Sequence, residues 1–162
     1  MDMTLGDMVI VRRHNLNPLD LAIELATNFD GVHVAMVGDG YLIEALFHVQ
    51  ASPLDKYGKF GVVFRPMVME SVKVRAVEFA KSKIGQRYGI KQLLEDGLLD
   101  IAHVSIGARF YPRHYTCSLL YSTAYAVAGW PVTYAPLATP ADLGYSPVFK
   151  GDRWWVKSKE ED

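Results

Sequence analysis

The stretch Val32-His33-Val34-Ala35-Met36-Val37, Gly38-Asp39-Gly40, Tyr41-Leu42-Ile43-Glu44-Ala45-Leu46-Phe47 reads as two apolar runs about a turn. Asp39-Gly40 is a pair favoured in two-residue β-hairpin turns. If Gly38 pairs with Tyr41, Ala35 opposes Glu44 and His33 opposes Leu46. Paired residues share a face, so His33 and Glu44 become diagonal neighbours within reach of long side chains. The rest of that face is Ala35, Val37, Leu42 and Leu46. A three-residue loop shifts the register by one and sends the two side chains to opposite faces. On the favoured register, the carboxylate accepts from one ring nitrogen and leaves the other free to take a proton. The hairpin alone supports a second reading equally well: Glu44 in water at an edge, and His33 a satisfied core histidine.

Outward from the hairpin, the apolar run at 8–11, behind Gly6-Asp7, predicts a first strand. Asn17-Pro18-Leu19-Asp20 is a helix start: a cap, a first-position proline and an acid in the first turn. Leu21, Leu25, Ala26 and Phe29 would be its buried stripe, ending at Asp30-Gly31. The segment 51–57 reads as a loop, with Pro53 and Gly58 as punctuation. Gly61-Val62-Val63-Phe64-Arg65 is a strand ended by Pro66. Ser71 then caps a helix bearing Val72, Ala76, Phe79, Ala80 and Ile84, with Gly85 at its C-terminal end. Gly85-Gln86-Arg87-Tyr88-Gly89 is a turn in which Tyr88, taken alone, is a packing residue. The span 90–106 suggests two short helices split at Gly97. Near the end, Thr139 caps, Pro140 opens and Asp142 supports a short helical turn closing at Gly144. Val148-Phe149-Lys150 and Arg153-Trp154-Trp155-Val156 form a closing hairpin.

The only cysteine lies in Tyr115-Thr116-Cys117-Ser118-Leu119-Leu120. Pro112 keeps the preceding segment loop-like. Leu119, Leu120, Thr123, Ala124, Val127 and Ala128 then fall at helical spacing, with stop signals at Gly129 and Pro131. Thr116 is the natural N-cap. A thiol on the first helical turn meets unpaired N–H groups and the positive end of the helix dipole, and both favour the thiolate nucleophile. The alternative is a small buried hydrophobe, a common fate of free cysteines. His114, three residues before Cys117, rivals His33 as the base, and His103 is a packed or surface histidine.

The totals exclude several classes. With 162 residues, half of them hydrophobic and 22% charged, one domain spanning 1–162 is expected, with 157–162 a charged tail. A net charge of −1 argues against a nucleic-acid partner. No apolar run reaches the length of a membrane span, no secretory signal opens the chain, and one cysteine fits a reducing compartment, so a cytoplasmic location is expected. Five histidines include no His-x-x-x-His pair, and His114-x-x-Cys117 lacks a second half-site, so no metal or other cofactor is expected.

Taken in order, Gly6-Asp7-Met8-Val9, His33-Val34-Ala35-Met36, Glu44-Ala45, Gly85-Gln86-Arg87-Tyr88-Gly89, Tyr115-Thr116-Cys117-Ser118-Leu119-Leu120 and Thr139-Pro140-Ala141-Asp142-Leu143 resemble the circularly permuted NlpC/P60 enzymes. The histidine precedes the cysteine by 84 positions (117 − 33), the reverse of papain order and the order of the permuted branch. The lecithin:retinol acyltransferase branch, with Asn-Cys-Glu-His at its cysteine, fits poorly. The resemblance implies an α+β, permuted papain-like fold with an antiparallel sheet or small barrel packed against helices. It implies Cys117 as nucleophile, His33 as base and Glu44 as the residue orienting it. Tyr88, with Thr116, is placed on the oxyanion and substrate-binding side. The activity the resemblance implies is thiol-dependent hydrolysis of an amide bond in a small peptide, by family analogy one related to cell-wall peptides. An ester or thioester hydrolase, an acyltransferase, or a non-catalytic module keeping the cleft for a ligand are the alternatives.

Overall fold

The computed structural model describes residues 2–12, 29–87, 115–135 and 138–151. The helix expected at Asn17, the span 90–106, the second half of the closing hairpin and the tail 157–162 lie outside them.

The described chain is mixed α and β. Strands β1 (Met8–Arg12), β2 (Gly31–Val37), β3 (Tyr41–Ala45), β4 (Val49–Pro53), β5 (Gly61–Pro66) and β6 (Phe149–Gly151) form one sheet in the order β4-β3-β2-β1-β5-β6. Every pairing is antiparallel. Helices α1 (Glu70–Lys81), α2 (Cys117–Val127) and α3 (Pro140–Gly144) complete the described elements, with a single 3-10 turn at Gly58–Phe60.

Alternation along the strands gives the sheet two buried faces. Met8, Ile10, Val34, Met36, Ile43 and Phe64 pack against Val72, Ala76 and Ala80 of α1 and Leu120, Tyr121 and Ala124 of α2. On the other face, Val9, Val11, Ala35, Val37 and Leu42 pack under Leu54, Tyr57, Phe60 and Val63. The segment after β4 thus roofs a second, smaller core, and His33 and Glu44 share its face.

The hairpin has the expected register. Gly38 N–H donates to the Tyr41 carbonyl (2.7 Å), Gly40 sits at φ 80°, and Ala35 pairs with Glu44. Thr139 forms a full capping box with Asp142 at the start of α3. Three local expectations need correction. Residues 51–53, expected at the start of a loop, belong to edge strand β4, because Pro53 closes the strand without disturbing its pairing to β3. Met69, not Ser71, is the N-cap of α1, and Ile84 lies past its end, 42% exposed. On α2, Val127 faces solvent (60% exposed), while Tyr121 and Tyr125 fill the core.

Those two tyrosines anchor α2. Both hydroxyls donate to the Gly6 carbonyl, at 2.9 and 2.7 Å. Gly6 has φ 79°, and a Cβ there would come within 2.6 Å of the Tyr125 oxygen. Only glycine fits that turn. Beside it, the Asp7 carboxylate is fully buried and accepts from Arg65 Nη2 (2.9 Å), Arg65 Nε (3.1 Å) and Thr4 N–H (2.9 Å). The fork joins β1 to β5.

Candidate active site

Helix α2 begins at the cysteine. Thr116 is extended (φ −80°, ψ 167°), and its hydroxyl accepts from Leu119 N–H at 3.3 Å. Thr116 is buried and serves as the helix cap, so its observed role is to fix the turn that holds Cys117. The Cys117 N–H, at the first helical position, is one of the amides that a helix leaves unpaired within itself.

The helix packs on β2 and β3, bringing Cys117 to His33. The thiol and the imidazole are close enough for the charge of each to act on the other. His33 Nε2 is taken by Glu44 Oε2 at 2.8 Å, so Nδ1 is the nitrogen left for the sulfur. The three residues therefore form a chain from α2 through β2 to β3. His33 retains 13% of its side-chain exposure and Glu44 none.

Glu44 is held from four directions. Ser52 Oγ (2.5 Å) and Lys56 Nζ donate to Oε1, while His33 Nε2 and the Tyr57 hydroxyl share Oε2. Ser52 in turn accepts from Gln50 Nε2 at 3.2 Å. The Tyr57 ring packs against the His33 imidazole at 5.7 Å between centroids.

The electrostatics follow from this geometry. Burial disfavours the charged imidazolium, but the Cys117 thiolate and the Glu44 carboxylate outweigh it, and the His33 pKa is raised to about 9. Burial likewise works against the Cys117 thiolate. The His33 cation and backbone donors at Val34 and Ser118 more than offset it, so the thiol is held below its ordinary value. Burial opposes ionisation of Glu44 too, and donors from His33, Lys56, Ser52 and Tyr57 drive its carboxyl well below the usual range. All three shifts favour the ionised thiolate–imidazolium pair.

The chain has the fold of a solved metalloprotein. That protein is yiiX from Escherichia coli O157:H7, DUF1105; its crystal structure matches with a TM-score of 0.69 over 91% of this chain and 95% of that one. Sequence identity is 18%, so the likeness is one of fold. No protein-family model and no curated protein matches the chain.

Of the residues expected at the site, Cys117, His33 and Glu44 meet, and Thr116 caps the helix under them. Tyr88, His103 and His114 lie outside the described residues. Sequence reasoning passed over Ser52, Lys56 and Tyr57, which fell in the segment read as a loop. A signal existed: a third strand after the short 46–48 connection would set Gln50 opposite Glu44 and Ser52 opposite Leu42, as observed. A separate cleft of about 530 Å³, lined by residues including Arg65, Met67, Trp130 and Lys150, contains none of the three.

Proposed function

We propose that the protein is a thiol-dependent hydrolase of the circularly permuted NlpC/P60 type, with a papain-like site, cleaving an amide bond in a small peptide in the cytoplasm. The observation that carries this reading is the meeting of Cys117, His33 and Glu44 from three elements, with His33 placed between the thiol and a buried, fully partnered carboxylate to which it is hydrogen bonded. A structural thiol in an apolar core has no need of an oriented imidazolium.

The steps follow from the parts. Cys117 Sγ, as thiolate, attacks the amide carbonyl carbon, and the oxyanion forms beside the Cys117 N–H. One such donor contributes about 3–4 kcal/mol to lowering the barrier. His33 passes the proton on Nδ1 to the leaving nitrogen, the C–N bond breaks, and a thioester remains. Water then attacks that thioester, giving a proton to Nδ1. The C–S bond breaks, releasing the acid and restoring the thiolate–imidazolium pair. Glu44 keeps the ring oriented throughout.

The structural neighbour is a metalloprotein, which raises a metal reading of the same fold. Among the described residues no group of three or more His, Cys, Asp or Glu side chains is placed to hold a metal ion. Both oxygens of Glu44 already accept from protein donors. No step is routed through a metal.

The test is to incubate the protein with a mixed library of small peptides and esters, quench with acid and measure intact and digest masses. An acyl adduct on Cys117, absent from Cys117→Ser and much reduced in His33→Ala, is expected. Adducts from esters alone would move the reading to an esterase, and no adduct on Cys117 from any member would overturn it.

A further inference from the structure

We infer that Lys56 is a positioning residue that balances the charge of Glu44, so that His33, having given its proton to the leaving nitrogen, stays neutral while Cys117 is acylated. This rests on the hydrolase reading and concerns how its second half-reaction is made possible.

A carboxylate offers about four acceptor positions. In Glu44 all four are used, by Ser52 and Lys56 on Oε1 and by His33 and Tyr57 on Oε2. The group cannot turn without losing donors in a site where it has no exposure to water. Lys56 differs from the two hydroxyl donors in being a cationic side chain. Its ammonium also lies 3.4 Å from Ser52 Oγ and 5.2 Å from the Tyr57 ring centroid, tying it to the two neutral donors.

Among the described residues, the titratable and charged groups facing this cluster are Cys117 from α2, His33 from β2, Glu44 from β3, and Lys56 and Tyr57 from the segment after β4. In the free enzyme they balance: thiolate and carboxylate against imidazolium and ammonium. Acylation turns the thiolate into a neutral thioester and removes one anion. His33 has by then given its proton to the leaving nitrogen. If the ring took one back, Glu44 would face two cations, His33 and Lys56, in a poorly solvated site, so the ring stays neutral. The neutral ring is the base that the incoming water needs. Without the ammonium, Glu44 and a reprotonated His33 would form a balanced pair, the ring would take up a proton again, and the thioester would persist.

The experiment titrates the His33 ring by NMR, its signals assigned among the five histidines by comparison with His33→Asn. Wild type, Lys56→Gln and Lys56→Arg are each measured free and after capping Cys117 with iodoacetamide, whose neutral thioether stands in for the thioester. Lys56→Met serves as a second uncharged variant, and unfolding curves confirm that each protein is folded. In wild type, capping should bring His33 down from about 9. In capped Lys56→Gln, His33 should titrate about one unit above capped wild type, a tenfold higher proton affinity, whereas Lys56→Arg should follow wild type. Trapped acyl-enzyme should also accumulate in Lys56→Gln. Identical capped titrations in wild type and both uncharged variants overturn the role of Lys56. A wild-type His33 that capping does not move overturns the thiolate–imidazolium pair itself, a different failure with a different signature.

Discussion

Two carboxylates, Asp7 and Glu44, have no exposure to solvent, and each is held by a cation reaching in from a neighbouring segment. Asp7 receives the planar fork of Arg65, a group that stays charged at any pH the fold survives. Glu44 receives an ammonium, two hydroxyls and an imidazole, and the imidazole is a group that titrates, at about 9 in this site. The first arrangement can only fasten β1 to β5. The second passes a proton balance from β3 through β2 to the start of a helix. Burial and pairing are common to both, so neither marks a reacting site; a titrating partner with one nitrogen left over does.

That division can be broken from either side. The largest effect belongs to His33→Ala. Without the imidazolium, Cys117 should revert to an ordinary or burial-raised thiol, and iodoacetamide alkylation at pH 7 should slow by roughly 100-fold. Wild-type rates should stay flat through neutrality up to about pH 9, where His33 loses its proton, and fall only at acidic pH as the thiolate protonates. In the variant the rate should climb with pH like that of a simple thiol.

Arg65→Met comes next. It leaves a buried carboxylate with little but the Thr4 N–H, and denaturant unfolding should report a loss of about 3 kcal/mol. That is the low end for such a pair, since Arg65 keeps a third of its exposure. The alkylation pH profile should not move; a shifted profile would show that the two carboxylates are not separate in function.

Glu44→Gln should have a smaller effect. The amide still accepts from His33 but carries no charge, so the upper end of the flat region should fall from about 9 by roughly one unit. Stability carries a second sign. Because the folded carboxyl is held below its ordinary value, its contribution is present above about pH 4.3 and is lost as pH falls through the folded value. Glu44→Gln should flatten that acid limb in melting temperatures measured from pH 6 to pH 2. The smallest change is Tyr125→Phe, worth about 1 kcal/mol or less, because Tyr121 still donates to the Gly6 carbonyl.

What the sequence revealed of this site follows from how local each determinant is. The hairpin register was legible because a two-residue turn admits only one phase, and that phase alone puts His33 and Glu44 together. The caps at Thr116 and Thr139 were legible because each is set within a single turn of chain. Strand β4 was not: it is short, Ala51 is its one small apolar residue between Gln50 and Ser52, and Pro53 looks like a stop, though at a sheet edge it is tolerated. Losing that strand also hid Ser52, Lys56 and Tyr57. The Asp7–Arg65 fork spans 58 positions, and no periodicity links residues that far apart. The stripe on α2 wrongly took in Val127, which is apolar but faces solvent, whereas Ala128, the next residue, is buried as expected.

The order of the site along the chain has a consequence for biosynthesis. The histidine, its carboxylate and the donors around that carboxylate all lie between positions 33 and 57, while the sulfur follows 60 residues later (117 − 57). A growing chain can complete the hairpin and its edge strand before the cysteine has been made. When the sulfur emerges it is still an ordinary thiol, since the cation that draws off its proton is reached only as α2 seats against β2. The nucleophile therefore becomes reactive only after the residues that will hold its proton have been made.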